Sequence, residues 1–129
     1  MITLLILLIF KHLVFDFFYQ PPYQWQNKGT YGHWGGIIHS SQHVVTTYFI
    51  LLFFIAQEYA ILISFIEFLI HYHMDWFKMW YGKKMNYKPH PSMGCTIKQS
   101  EWFWYMLGID QFVHYMTYIG IVGVIYGLN

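Results

Sequence analysis

Four apolar stretches of this chain each carry two ionisable side chains four residues apart. His12 and Asp16 close the first stretch, and His39 and His43 open the second. His71 and Asp75 lie late in the third, and Asp110 and His114 lie early in the fourth. On an α-helix, residues four apart share a face, one about 6 Å above the other. If successive helices alternate in direction, all four pairs fall at one level of a four-helix bundle. Eight polar side chains then converge at that level.

Composition suggests where such a bundle would sit. The 129 residues suffice for one domain, 57% of them are hydrophobic, and only 10% are charged. A globular domain is nearer a quarter charged, so the balance points to a membrane protein. A span needs about 20 mostly apolar residues. Four segments meet that requirement, at about residues 2–19, 36–56, 59–81 and 102–128. Gln20, Pro21 and Pro22 stop the first, and Lys83 and Lys84 follow the third. A Thr96-x-x-Gln99 pattern is placed to cap the fourth. The expected fold is therefore all-α: a polytopic membrane protein with one integral domain over residues 1–129.

The first segment lacks a basic start and a small-x-small cleavage site, so it reads as a retained helix rather than a signal peptide. Lys28 lies in the first connection, and Lys83, Lys84, Lys88 and Lys98 lie in the third. The positive-inside rule makes that side cytoplasmic and leaves both termini outside. Trp25, Trp34, Trp76, Trp80, Trp102 and Trp104 fall near the same boundary, as an interfacial belt would. The net charge of +1 gives no footprint for nucleic acid, and the lone Cys95 excludes an internal disulfide.

Isolated histidines on apolar helices are more often hydrogen-bonded core residues than ligands. His73, about 200° around the helix from His71, is read that way, and His33 and His90 are read as solvated loop residues. Four pairs at one depth are harder to explain by polar packing, because buried ionisable groups are costly and tend to mark function. The expectation is a metal centre formed by His12, Asp16, His39, His43, His71, Asp75, Asp110 and His114. Two divalent ions with four protein ligands each would use all eight. Three carboxylates and one hydroxide balance two dications. A single dication leaves a negative charge unless Lys78 compensates. Bundle cores that hold two metals are built from helix pairs in this way. Nitrogen and oxygen donors suit zinc first, with iron or manganese as alternatives.

Around the ligands, Gln20, Lys78 and Gln111 are placed to orient them or to bind an anionic substrate. Glu67, four before His71, is a ninth ligand, a general base, or a carboxyl kept protonated by burial. Lys11 snorkels or pairs with a carboxylate.

The motifs His12-x-x-x-Asp16-Phe17-x-x-Gln20, Lys28, His39-x-x-x-His43, His71-x-x-x-Asp75-x-x-Lys78 and Asp110-Gln111-x-x-His114 together resemble one family. It is the domain-of-unknown-function family 3307, small integral membrane proteins of bacteria and phages, and the resemblance implies a bacterial inner-membrane location. The resemblance covers nearly the whole chain. Residues 81–100, Glu67 and Lys11 carry none of its motifs. The family is also similar to membrane proteins described as metal-dependent hydrolases, a likeness at the level of the fold.

Five functions compete. The leading expectation is a metal hydrolase acting on a lipid-linked phosphate or ester, with Lys28, Lys78 or Lys83 meeting the phosphate. A diiron oxygen-dependent oxidoreductase ranks second, since the adjacent histidine pairs of such enzymes are missing. A metal transporter would need ligating groups in the outer halves of the second and fourth helices, which have none. Haem would want axial histidines several turns apart. A metal-stapled structural protein is the last, with Gly120, Gly123 and Gly127 offering close packing within the chain or in a homo-oligomer.

Overall fold

The computed structural model describes residues 1–127, and every regular element in it is a helix. Helix α1 spans Ile2–Leu13 and passes directly into a π-helical segment, Val14–Phe18. The Tyr19 amide reaches back to the Val14 carbonyl at 2.7 Å, a bond one residue longer than in an α-helix. Pro21 and Pro22 end this run, and Pro22 opens the short helix α2, Pro22–Asn27. Proline suits that place because its missing N–H would be unpaired there anyway.

Helix α3 spans Trp34–Leu51, and the His33 ring caps it by accepting from the Gly35 amide at 3.0 Å. Helix α4 spans Gln57–Lys84. After a 3-10 turn at Pro91–Met93, helix α5 spans Ile97–Gly127. Its start is the reciprocal cap that Thr96-x-x-Gln99 foretold. The Gln99 side chain accepts from the Thr96 amide at 2.8 Å, and the Thr96 hydroxyl accepts from the Gln99 amide at 3.2 Å.

The expected membrane spans are not found. Among the described residues, no helix is long and apolar enough to cross a membrane. This overturns the polytopic membrane fold, the transmembrane helices, the inner-membrane location and the inside–outside assignment of the termini. The physical reasons lie in the elements. The first segment gives only 12 α-helical residues before the π-turn. Helix α3 carries His39, Ser40, Ser41, Gln42, His43, Thr46 and Thr47 within its 18 residues. Helices α4 and α5 are long, but Glu67, Asp75, Lys78, Asp110 and Gln111 interrupt their apolar runs. Tyrosine and tryptophan also raised the hydrophobic count although their polar groups favour an interface. The boundaries differ too: α2 was not foreseen, α4 runs to Lys84, and α5 starts at Ile97. The expected end of the last helix at Leu128 lies outside the described residues.

Packing divides the interior into two layers. Helix α1 lies against α3 and α5, and α4 lies against the same two helices. At one end Leu4, Leu8, Leu51, Ala60, Tyr118, Ile121, Val122 and Ile125 form an apolar core. Next to it the interior turns polar, with Lys11, His12, His39, His43, Glu67, His71, Asp75, Asp110 and His114 all buried. Large apolar side chains such as Phe18, Phe53 and Phe112 point outward instead. Burying charge costs several kcal/mol per ion unless it is paired, so the polar layer must satisfy itself.

A candidate metal centre in the polar layer

The eight expected ligands meet in this layer, delivered by five elements, with His12 on α1. The π-segment supplies Asp16, and its widened turn sets the direction of that side chain relative to His12. Helix α3 supplies His39 and His43, whose rings lie 4.8 Å apart. Helix α4 supplies His71 and Asp75, and α5 supplies Asp110 and His114. The rings of His43 and His71 lie 4.0 Å apart, and those of His71 and His114 lie 4.2 Å apart.

Three sets of donor atoms are close enough to hold an ion, with the atoms of each set within 4.8 Å of one another. The first is Asp16, His39, His43 and His71. The second is His71, Asp75 and His114, and the third is Asp16, Asp110 and His114. Asp16 is common to the first and third. Its Oδ1 lies 3.1 Å from Nε2 of both His39 and His43 and 4.0 Å from Nε2 of His71. The Nε2 atoms of His39 and His71 are themselves only 3.3 Å apart.

Several of these atoms are buried and face one another without hydrogen-bond geometry: Asp16 Oδ1 lies 3.1 Å from His43 Nε2, and Asp110 Oδ1 lies 3.4 Å from His114 Nε2. Leaving such an atom unsatisfied costs about 1–3 kcal/mol. His12 stands apart. It belongs to none of the three sets: Nδ1 faces the Tyr118 hydroxyl at 3.1 Å, and Nε2 faces Gln111 Oε1 at 3.0 Å and, more distantly, Asp16 Oδ2 at 3.4 Å.

The protonation states of His43 and His71 suit metal ligands. Burial pushes the His43 imidazole down to about 3 and His71 well below its ordinary value, so both are neutral donors. Burial would lift the Asp16 carboxyl, but the His39 and His43 rings outweigh it and hold Asp16 well below the carboxylate range. Burial likewise opposes charge on Asp75, and Lys28 and Lys78 overcome it. Asp110 is lowered against burial by His114 and Lys78. His39 moves the other way, raised against burial by Asp16 and Asp75.

The lysines occupy one side of the cluster. Lys28 Nζ donates to Asp75 Oδ2 at 3.0 Å. Lys78 Nζ donates to Asp110 Oδ2 at 2.6 Å and to Asp75 Oδ1 at 3.4 Å. Burial works against the Lys78 ammonium, and Asp75 and Asp110 more than compensate, keeping it charged. Gln20 lies 3.0 Å from the His39 ring. Glu67 is in none of the three donor sets and pairs with Lys11, which also donates to the His43 carbonyl at 3.1 Å. Lys83 lies on the rim of a surface cavity with Tyr31, Trp76 and Trp80. His73 is exposed and lies 3.1 Å from the Tyr31 hydroxyl. His33 and His90 act as local caps.

The sequence reading missed Tyr118 and the pairing of Lys28 with Asp75. Tyr118 could have been found, since it continues the Asp110–His114 spacing by another four residues. Lys28 could not, because its partner lies 47 residues away.

Comparison with known proteins gives one match. A family model described as "Protein of unknown function (DUF3307)" covers residues 4–128. No curated protein matches the chain, and no solved structure does.

Proposed function

Because this chain belongs to the DUF3307 family, whose description assigns no activity, we propose its function from the site itself: divalent-metal-dependent hydrolysis of a phosphate or ester. The observation that carries this reading is the crowding of buried donor atoms on Asp16, His43, Asp110 and His114, which face one another without hydrogen-bond geometry. Imidazole nitrogens and carboxylate oxygens together suit zinc, with iron or manganese as alternatives. Asp16, His39, His43 and His71 would hold one ion, and Asp110 and His114 with Asp16 would hold a second. The metal supplies Lewis acidity toward a phosphoryl or carbonyl oxygen and activates water near neutral pH.

The chain's own residues do the rest. Asp16, Asp75 and Asp110 are opposed by Lys28 and Lys78, so the carboxylates are largely neutralised before any ion binds. Two dications would then leave a surplus of positive charge, which the dianion of a phosphomonoester together with one hydroxide would cancel. Lys78 lies at the edge of the cluster and is placed to meet the substrate's oxygens. Water adds to phosphorus, the P–O bond to the alcohol breaks, and the alcohol leaves with a proton. With the membrane spans withdrawn, nothing in this reading requires a lipid-linked substrate.

The test is an assay of metal-reconstituted protein on p-nitrophenyl phosphate, bis-p-nitrophenyl phosphate and p-nitrophenyl acetate, with and without chelator. Chelator-sensitive turnover of the monoester is expected. Turnover of the acetate alone would replace phosphate chemistry with acyl chemistry. No metal-dependent turnover of any of the three would count against a hydrolase.

A further inference from the structure

The carboxylates fix the direction of a hydrogen-bond chain that leads away from the cluster. Gln111 Nε2 lies 3.2 Å from Asp110 Oδ2 and 3.4 Å from Asp16 Oδ2. An amide nitrogen only donates, so at both contacts the carboxylate oxygen accepts and the NH2 of Gln111 faces it. Its carbonyl Oε1 therefore faces the other way, toward His12 Nε2 at 3.0 Å. A carbonyl also only accepts, so His12 carries its proton on Nε2. Nδ1 is then an acceptor, and the Tyr118 hydroxyl at 3.1 Å donates to it.

We infer that Tyr118, His12 and Gln111 form a one-directional relay that orients Asp16 and Asp110, and that His12 is a positioning residue rather than a metal ligand. The relay engages Oδ2 of each carboxylate, which Lys78 shares at Asp110, and leaves each Oδ1 facing histidine Nε2 atoms without hydrogen-bond geometry. It thus leaves one oxygen of Asp16 and one of Asp110 among the donor sets, where each would be free to meet an ion. His12 is 0% exposed and Tyr118 is 1% exposed, so water does not compete for these bonds. The far end is held as well. Lys11 Nζ stands 5.0 Å above the Tyr118 ring and pairs with Glu67, which gives that buried ion pair a place in the architecture. Outer hydrogen bonds of this kind typically change metal affinity by about 10–100-fold when removed.

The inference rests on the metal reading for its purpose but not for its geometry. The first test therefore uses metal-free protein: nitrogen-15 NMR of the histidine rings. His12 is expected as the Nε2–H tautomer, and as a mixture of tautomers in Tyr118→Phe and Gln111→Met. An Nδ1–H tautomer in the unsubstituted protein would overturn the relay. Tyr118→Phe removes a single oxygen and keeps the ring, so the fold is expected to survive, as helical circular dichroism checks.

The second test is zinc binding. Tyr118→Phe and His12→Asn should each weaken affinity about 10–100-fold with the number of ions unchanged. The double variant should be no weaker than the weaker single one, because both cut the same chain. Loss of one ion per chain in His12→Asn, with no effect of Tyr118→Phe, would make His12 a ligand and refute the proposal. If the unsubstituted protein binds no zinc, the hydrolase reading fails, and the tautomer alone decides the relay.

Discussion

Asp75 accepts from Lys28 and Lys78 while standing 3.2 Å from His39 Nε2, so one carboxylate is shared among three basic groups. Lys78 has opposite effects on the two states of the protein. Without metal it neutralises buried Asp110 and Asp75. Breaking a buried ion pair by removing one partner costs about 3–5 kcal/mol. Lys78→Met should therefore lower the stability of the metal-free protein by roughly that amount in chemical denaturation. With metal the sign reverses, since removing a nearby positive charge strengthens cation binding. Saturating zinc should recover most of the loss, while hydrolysis of an anionic substrate stays impaired. A variant equally destabilised with and without zinc would mean that Lys78 only stabilises the fold. The histidine and aspartate pairs were legible as residues because helical spacing places each pair on one face. The different role of His12 was not, since it follows from bonds to Tyr118 and Gln111 that lie about a hundred residues away.

At the scale of elements, the π-segment sets the register of the site. Deleting Val14 would remove its extra residue and bring Asp16 to the third position after His12, about 100° around the helix. Metal affinity should collapse in that variant while helix content by circular dichroism is retained. Undiminished affinity would show that the π-turn is incidental. The junction of α2 and α3 is tight in another way. A Cβ on Gly35 would sit 2.5 Å from the Tyr23 carbonyl oxygen. Gly35→Ala should therefore destabilise the protein by about 1–3 kcal/mol in denaturant titrations. Proline, capping residues and apolar periodicity made most helices legible. The π-turn left no mark in the pattern, because the apolar run Val14–Phe15 and Phe17–Phe18 continues through it. Helix α2 was hidden because its six residues are too few for a periodic signal.

The molecule as a whole has a polar layer inside and many large apolar side chains outside. The composition that suggested membrane spans reflects this distribution, and the helices themselves do not meet the length and apolarity a span demands. The polar interior also predicts how stability depends on pH. His43 and His71 are held neutral in the fold, whereas an unfolded histidine takes up a proton near pH 6.5. The unfolded chain binds more protons below that value, so stability falls as pH drops from about 6.5 toward 3. Asp16, Asp75 and Asp110, all lowered, add a loss in the same direction below about pH 4. His39, raised, partly offsets the histidine contribution. Thermal unfolding of chelated protein should show a midpoint that declines steadily on acidification through this window. A midpoint that rises instead would contradict the buried neutral histidines.

The central claim is that the polar layer is a metal centre built around Asp16. Elemental mass spectrometry of protein purified without chelator measures it directly, on the unsubstituted chain and on Asp16→Asn. The account predicts about two divalent ions per chain, as for other helical bundle cores, and a marked loss in the variant, because Asp16 belongs to two of the three donor sets. No metal in the unsubstituted protein, or full retention in Asp16→Asn, would contradict it.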